Sequence, residues 1–189
     1  AIDTCRLVSS SNYQESTLPN HPAIFIDGND DCSEGGWPGS GTSEDPYRIS
    51  GFLIQSDEVC IEIRNSDVHF EIVNCDLTSS EANSAGEGIR LVNTQNFVLE
   101  QLEIHDKDRG IILHDSTYFS MYELSVSDVN SDGIYLTGAE SGRLRRSEIC
   151  DCGHSGIVVH RSSFVKIESC QISNTGSDSI RIDSAGNIL

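Results

Sequence analysis

Aspartate and asparagine recur at one position of a repeating pattern in the second half of the chain. The residues are Asp106, Asp128, Asp151 and Asn174, separated by 22, 23 and 23 positions. If the fold stacks these residues above one another, their side chains form a carboxylate ladder that attracts a divalent cation. The alternative is that Asn and Asp at a fixed turn position cap the backbone of each repeat. We favour the second interpretation, because both residues are frequent turn formers.

A second acidic group lies near the start of the chain. Asp27, Asn29 and Asp31 place oxygen side chains at alternate positions, as in the first half of a calcium-binding loop. The EF-hand pattern then requires Gly and Glu, where this chain has Cys32 and Pro38. The sequence therefore predicts either a looser Ca²⁺ site or an ordinary acidic turn. Ca²⁺ is the only cofactor that this pattern indicates.

Two cysteines and a histidine form a third candidate site. Cys150, Cys152 and His154 stand at positions i, i+2 and i+4. In an extended segment these side chains share one face and could hold a soft metal such as Cu(I) or Zn²⁺. Structural zinc sites usually leave two or more residues between their cysteines, which argues against zinc.

The seven cysteines are an odd number, so at least one thiol stays unpaired in a monomer. Cys75 and Cys170 are expected to be small core residues. A disulfide between Cys5 and Cys32 would tie the start of the chain to the first loop, as suits an extracellular protein.

A short motif, in which Gly precedes alternating apolar residues, begins each repeat. It begins at Gly88, Gly110, Gly133 and Gly156, and a related motif begins at Ser179, so the steps are 22, 23, 23 and 23 residues. Within each repeat, apolar residues come in i, i+2 pairs separated by Ser, Asn, Asp and Gly. Such pairs are typical of β-strands, and the separating residues form turns. Self-similarity at a fixed period indicates a repeat architecture.

Three short strands in each repeat cannot bury a face alone. Stacked in parallel on equivalent strands about 4.8 Å away, they enclose a continuous core. The sequence therefore predicts an all-β fold, a single-stranded right-handed parallel β-helix (a solenoid) of about seven coils of 22–23 residues. The hand follows from the rule for parallel crossovers. Phe70, Phe97 and Phe119 are expected to stack in its interior.

The repeat also defines the organisation of the chain. Residues 1–23 are polar and are predicted to form an N-terminal cap or arm over the open edge of the first coil. Residues 24–189 are predicted to form the β-helix, with loop insertions at 27–46 and 79–87. Loops on a rigid scaffold often carry function.

The charge of the chain limits its partners. It has 30 acidic and 12 basic residues and a formal net charge of −18. Such a surface repels phosphates, which excludes nucleic acid and anionic membranes as partners. No apolar run is long enough to span a bilayer, so no membrane insertion is expected. A chain that starts at Ala1 is expected to be a mature form whose leader was removed.

Two segments carry a resemblance to known proteins. The run IFIDGN at 24–29, with GSGTSEDPYRI at 39–49, is similar to the opening of archaeal surface proteins with β-helix repeats. The later repeats resemble those of the NosD-like and pectate-lyase-like families. The resemblance implies an extracellular or cell-surface location. NosD-like proteins are associated with copper delivery and other relatives bind or cleave glycans, so no single activity is implied.

If the chain acts on a glycan, as the resemblance allows, aromatic rings would be its sugar platforms. Polysaccharide lyases of this fold use Arg or Lys as a base beside acidic Ca²⁺ ligands. We favour the interpretation that the arginines here partly neutralise the acidic ladder, and we assign no catalytic residue. The candidate platforms are Trp37, Tyr118, Tyr122 and Tyr135, and the concentrated arginines are Arg109, Arg143, Arg145, Arg146 and Arg161.

The end of the chain favours an assembly role. Ile180, Ile182, Ile188 and Leu189 fall in a last coil that no amphipathic helix follows. An open coil end exposes backbone N–H and C=O groups that have no strand partner. Head-to-tail stacking of such ends builds a filament unless the rotation between successive subunits closes a ring. We therefore predict first a non-catalytic structural module that self-associates through its coil ends. The alternatives are a glycan-binding or glycan-cleaving protein and a NosD-like metal-handling surface protein.

Overall fold

The computed structural model describes residues 17–80, 86–184 and 186–189. Within them lie many short strands and one six-residue helix, and no helix there is long and apolar enough to cross a bilayer. The elements are β1 Ile24–Asp27, α1 Asn29–Glu34, β2 Tyr47–Ser50, β3 Leu53–Gln55, β4 Ile61–Ser66, β5 Phe70–Val73, β6 Asp76–Thr78, β7 Glu87–Glu100, β8 Glu103–Lys107, β9 Arg109–His114, β10 Thr117–Tyr122, β11 Ser125–Val129, β12 Ile134–Thr137, β13 Glu140–Arg145, β14 Glu148–Cys152, β15 Ile157–His160, β16 Ser163–Glu168, β17 Gln171–Thr175 and β18 Ile180–Asp183.

The strands stack into three parallel faces. The first face is β1-β4-β7-β9-β12-β15-β18, the second β2-β5-β7-β10-β13-β16, and the third β3-β6-β8-β11-β14-β17. Strand β7 is 14 residues long and belongs to both the first and the second face, so these two form one 12-stranded sheet. The described residues thus build six complete coils and the first strand of a seventh, close to the predicted number.

The apolar residues align in files, that is, in rows of equivalent residues from successive coils that run along the solenoid axis, as the repeat predicts. Ile89, Ile111, Ile134 and Ile157 pair in register on the first face, and none of them is exposed. Burying each of these side chains contributes about 1.5–3 kcal/mol. These files make one continuous core along the solenoid.

The predicted aromatic stack is present inside the second face. The ring centroids of Phe70 and Phe97 are 5.3 Å apart, and those of Phe97 and Phe119 are 5.6 Å apart. The stack ends at Gly142, where a Cβ atom would overlap the Phe119 ring. The absence of a side chain at Gly142 therefore makes room for the last ring.

The coils turn at corners where the backbone is left-handed. Nineteen described residues other than glycine have positive φ, and they recur at fixed positions of each coil. Asp106, Asp128, Asp151 and Asn174 form one such file, with φ from 50 to 56°. Asn and Asp adopt this conformation more readily than most residues. This explains why they recur at this position.

The N-terminal end of the solenoid is partly covered. Residues 1–16 of the predicted cap lie outside the described residues, but Asn20 forms a parallel bridge with Leu53 of β3. The His21 ring packs 4.5 Å from the Phe52 ring. The insertion at 27–46 was predicted as a loop, whereas its residues 29–34 form α1. Asp30 and Asp31 in its first turn favour this helix through its dipole.

Candidate functional site

A groove lies on the outer side of the first face, over the last coils. Its volume is about 450 Å³. Tyr135, Val158 and Arg181 are outward residues of β12, β15 and β18 and pair in register, so they form its floor along the solenoid axis. The groove's charged and polar walls include Asp132, His154, His160 and Asp183.

Arg109 and Asp132 hold one side of the Tyr135 ring. The guanidinium carbon of Arg109 lies 5.9 Å from the ring centroid, which is a cation–π distance. The Nε atom of Arg109 is 3.8 Å from Asp132 Oδ2. Asp132 Oδ1 also accepts a hydrogen bond from the backbone N–H of Ser155, at 3.1 Å. These contacts fix the aromatic ring between neighbouring coils.

The other side of the groove is organised around Asp183. Its Oδ2 atom lies 3.6 Å from His160 Nδ1 and 3.6 Å from Arg181 Nη2. The groove therefore surrounds an aromatic ring with carboxylates, guanidinium groups and imidazoles. Such side chains donate and accept hydrogen bonds, so the groove suits a ligand with many hydroxyl groups.

The four predicted sugar platforms do not form one site. Tyr135 lies in the groove, but Tyr122 lies on the second face beneath Arg145, whose guanidinium carbon is 5.2 Å from its ring centroid. A hydrogen bond to Glu100, followed by desolvation, raises the pKa of Tyr122 to about 12. Trp37 packs in the first coil, 6.3 Å from the Phe52 ring.

The predicted carboxylate ladder is stacked along one corner of the third face. Asn174 Nδ2 donates a hydrogen bond to Asp151 Oδ1 at 3.1 Å. At the other end of the file, Asp106 Oδ2 lies 2.7 Å from His105 Nδ1. The left-handed backbone of these residues supports the turn interpretation, because their side chains suit that conformation.

The oxygens of the predicted calcium turn are engaged in hydrogen bonds. Asp27 Oδ1 accepts from Asn65 Nδ2 at 2.7 Å, and Asp31 Oδ2 accepts from the backbone N–H of Asp27 at 2.9 Å. Asn29 Oδ1 accepts from Ser66 Oγ at 3.1 Å. These bonds tie the turn to the next coil. Across the described ranges, no three or more His, Cys, Asp and Glu side chains are grouped to hold a metal ion.

The structure contradicts the predicted soft-metal site. Cys150 is disulfide-bonded, whereas Cys152 is a free thiol in the core and His154 is exposed. Burial, the largest effect, raises the pKa of the Cys152 thiol to about 12, which disfavours the thiolate that a metal needs. The physical reason is the positive φ of Asp151, which interrupts the extended backbone, so the three side chains do not share one face.

The predicted pairing of Cys5 with Cys32 is also wrong. Cys32 is a buried free thiol 3.6 Å from Ser66 Oγ, and Cys5 lies outside the described residues. Cys75 and Cys170 are free thiols packed in or against the core, as predicted. Burial raises the pKa of Cys75, as expected for a core residue.

The arginines are distributed over two faces. Arg109 lies over the Tyr135 ring beside the groove, while Arg143 lies 3.8 Å from Glu168 on the second face. Arg146, at a corner, lies 3.7 Å from Glu123. The acidic partners of these three arginines are thus outside the Asp106 to Asn174 file.

The predicted assembly residues lie at the last coil. Ile180, Ile182 and Leu189 are 41%, 53% and 78% exposed, and Ile188 packs against the core. The backbone N–H of Leu189 donates to the carbonyl of Val165 at 3.1 Å. The last coil therefore continues the solenoid pairing while exposing apolar side chains.

Comparison with known proteins agrees with this architecture. The family model "Right handed beta helix region" matches residues 22–189. No curated protein matches the chain significantly. Among solved structures, an alginate lyase from Paenibacillus sp. str. FPU-7 is 13% identical with a TM-score of 0.60, over 86% of this chain and 65% of that one.

Two further solved structures share the fold. Tailspike protein 2 from Escherichia coli O157:H7 bacteriophage CAB120 is 10% identical with a TM-score of 0.54, over 72% of this chain and 26% of that one. A mannuronan C-5 epimerase A-module from Azotobacter vinelandii is 10% identical with a TM-score of 0.51, over 90% of this chain and 55% of that one. This chain spans less than two thirds of each protein. The chain belongs to the right-handed β-helix family.

Proposed function

We propose that the chain binds a polysaccharide in the groove around Tyr135. The observation that carries this proposal is the placement of one aromatic ring among hydrogen-bonding side chains of three successive coils. The apolar face of a sugar ring stacks on an aromatic ring, and its hydroxyl groups bind carboxylates and guanidinium groups. Asp132, Asp183, Arg109 and Arg181 supply those groups around Tyr135.

The direction of the groove favours a polymer. Its floor residues Tyr135, Val158 and Arg181 lie one coil apart, about 4.8 Å, along the solenoid axis. A linear chain of sugar rings can lie along such a row. Two of the structures that share the fold are an alginate lyase and a mannuronan C-5 epimerase, which are named for the polysaccharides on which they act. Their low identity supports the fold, so the groove geometry carries the functional argument.

We also propose that the protein works outside the cell. Cys150 is disulfide-bonded, and disulfides persist in oxidising compartments such as the extracellular space. The acidic surface repels a phosphate polymer, but it does not oppose a neutral polysaccharide.

Calorimetric titration with acidic and neutral oligosaccharides tests the proposed function. Tyr135→Ala is expected to weaken binding about tenfold, which corresponds to about 1.4 kcal/mol. Tyr122→Ala is the matched control, because Tyr122 also carries an arginine over its ring but lies on the second face. A parallel assay for new reducing ends separates cleavage from binding. Equal affinities in the wild type and Tyr135→Ala would contradict the proposal.

A second candidate function is docking at the last coil. Ile180 and Ile182 are 41% and 53% exposed on β18, whose outer edge has no strand partner among the described residues. An apolar strand at a sheet edge pairs readily with another strand, and here we propose a second copy stacked head to tail. Sedimentation of the wild type and of Ile180→Ser/Ile182→Ser over a range of concentrations tests it. A monomer at every concentration would contradict this candidate.

A further inference from the structure

Two exposed aromatic residues occupy strained corner positions. Tyr118 and Phe164 both have φ of 54°, and they are 63% and 55% exposed. The other described non-glycine residues with positive φ are polar or charged. A bulky residue in this conformation costs about 1–3 kcal/mol. Exposed rings gain little burial that would offset this cost, so their presence points to a role at the surface.

The two rings belong to one file. Thr117 pairs with Glu140 and Phe119 with Gly142, which places Tyr118 beside Ser141 in the next coil. The register of β13 and β16 then places Ser141 beside Phe164. At about 4.8 Å per coil, the two rings lie about 10 Å apart along the solenoid axis. The small side chain of Ser141 leaves space between them.

A pocket with basic side chains adjoins this file. Its volume is about 670 Å³, and Ser141, Phe164, Ser120, Arg143 and Lys166 are among its lining residues. Lys166 Nζ lies 2.8 Å from Glu168 Oε1, and Arg143 Nε lies 3.8 Å from Oε2 of the same residue. Two cations therefore share one carboxylate, which leaves a net positive charge beside the aromatic rings. Both cationic side chains are exposed, by 52% for Arg143 and 42% for Lys166.

We infer that this file and pocket form a second glycan-binding surface, for a linear sugar chain that carries carboxylate or sulfate groups. Sugar rings stack on Tyr118 and Phe164, while Arg143 and Lys166 bind the anionic substituents. The inference rests on the proposed function only in taking a polysaccharide as the ligand. It uses none of the residues of the groove around Tyr135, so the two surfaces can be tested separately.

Other coils show which residue can replace Tyr118 and Phe164 without disturbing the corner. Asn96 and Asn187 occupy equivalent corner positions in other coils, with φ of 58° and 50°. Tyr118→Asn/Phe164→Asn is therefore expected to fold, with an unchanged or higher Tm, because Asn suits this backbone. A second double variant, Arg143→Gln/Lys166→Gln, removes the charge and retains the rings.

Titration of these variants with carboxylated, sulfated and neutral hexasaccharides tests the inference. The asparagine variant is expected to bind the anionic oligosaccharides at least about tenfold more weakly than the wild type. The glutamine variant is expected to lose affinity for the anionic oligosaccharides and to keep its affinity for the neutral one. The carboxylated and sulfated ligands show which anion the pocket prefers.

Tyr135→Ala, measured alongside, separates the two proposals. If Tyr135→Ala loses affinity and the asparagine variant does not, the result contradicts the proposed second surface and supports binding in the groove. If the asparagine variant loses affinity and Tyr135→Ala does not, the groove proposal is wrong and the second surface stands. If the wild type binds none of the oligosaccharides, both are overturned.

Discussion

His105 joins two coils through a charged hydrogen-bond network on the outside of the third face. Its Nε2 atom lies 3.1 Å from Asp76 Oδ1, and its Nδ1 atom lies 2.7 Å from Asp106 Oδ2. The hydrogen bond to Asp76 has the largest effect and, together with Asp106, raises the pKa of His105 from 6.5 to about 9. The protonated imidazole is therefore stabilised in the folded state.

This shift predicts a pH dependence of stability. The folded pKa is above the unfolded value, so the contribution of His105 is complete below about pH 6.5 and is lost as the pH rises towards about 9. Urea unfolding across this range is expected to show a fall in the free energy of unfolding for the wild type. His105→Gln is expected to show a flatter profile, because glutamine does not titrate. Identical profiles would show that this network does not stabilise the fold.

Gly142 is a second single residue on which the packing depends. A Cβ atom there would overlap the ring of Phe119. Gly142→Ala is therefore expected to destabilise the protein by about 1–3 kcal/mol, the usual effect of overpacking a core. Gly186→Ala is the control, because a Cβ atom at Gly186 meets nothing closer than 4.0 Å. Chemical denaturation measures both, and equal stabilities would mean that the aromatic stack shifts without strain.

At the scale of the element, the corners between strands, where the backbone has positive φ, determine which way the neighbouring side chains point. Asp128 lies in the file of Asp and Asn residues with left-handed backbone, at φ of 51°. Asp128→Val is expected to cost about 1–3 kcal/mol, because a β-branched residue is strained in this conformation. Asp128→Asn is expected to retain stability, with no change in Tm on addition of Ca²⁺. A Ca²⁺-dependent rise in Tm that Asp128→Asn abolishes would instead indicate a cation-binding ladder.

The strands were predictable from the sequence, whereas the corners were not. Ile111, Ile134 and Ile157 recur in i, i+2 pairs with their neighbours, so strand periodicity alone places them in one file. Cys150 and Cys152 also stand at i, i+2, but the corner at Asp151 lies between them. No simple spacing rule reveals such a corner, and so the predicted soft-metal site failed.

The groove was only partly predictable for the same reason. Tyr135 was identified from its residue type, but His160 and Arg181 reach it from later coils, through the register of β12, β15 and β18. Phe164 was not identified as a platform. The sequence did contain an indication of this role, since Phe164 falls 46 positions after the candidate platform Tyr118, which is two repeats of 23 residues. Recognising it required the knowledge that this position is an exposed corner.

At the scale of the whole molecule, charge is distributed unevenly around the solenoid. The third face presents Asp76, Glu103 and Glu148 outward, and the Asp106 to Asn174 file follows at its corner. The basic residues Arg109, Arg143 and Lys166 lie on the first and second faces. The acidic third face therefore repels an anionic polymer, whereas the first and second faces carry basic side chains that can bind its anionic groups.

Hydrogen exchange with and without a bound oligosaccharide tests the central claim most directly, because it maps a ligand onto the coils. If a polysaccharide lies in the groove around Tyr135, the backbone amides of residues 132–137, 154–160 and 180–183 are expected to exchange more slowly in its presence. The amides of the third face are expected to be unaffected. Protection confined to the third face, or no protection at saturating ligand, would contradict the claim that this β-helix binds a polysaccharide along its first face.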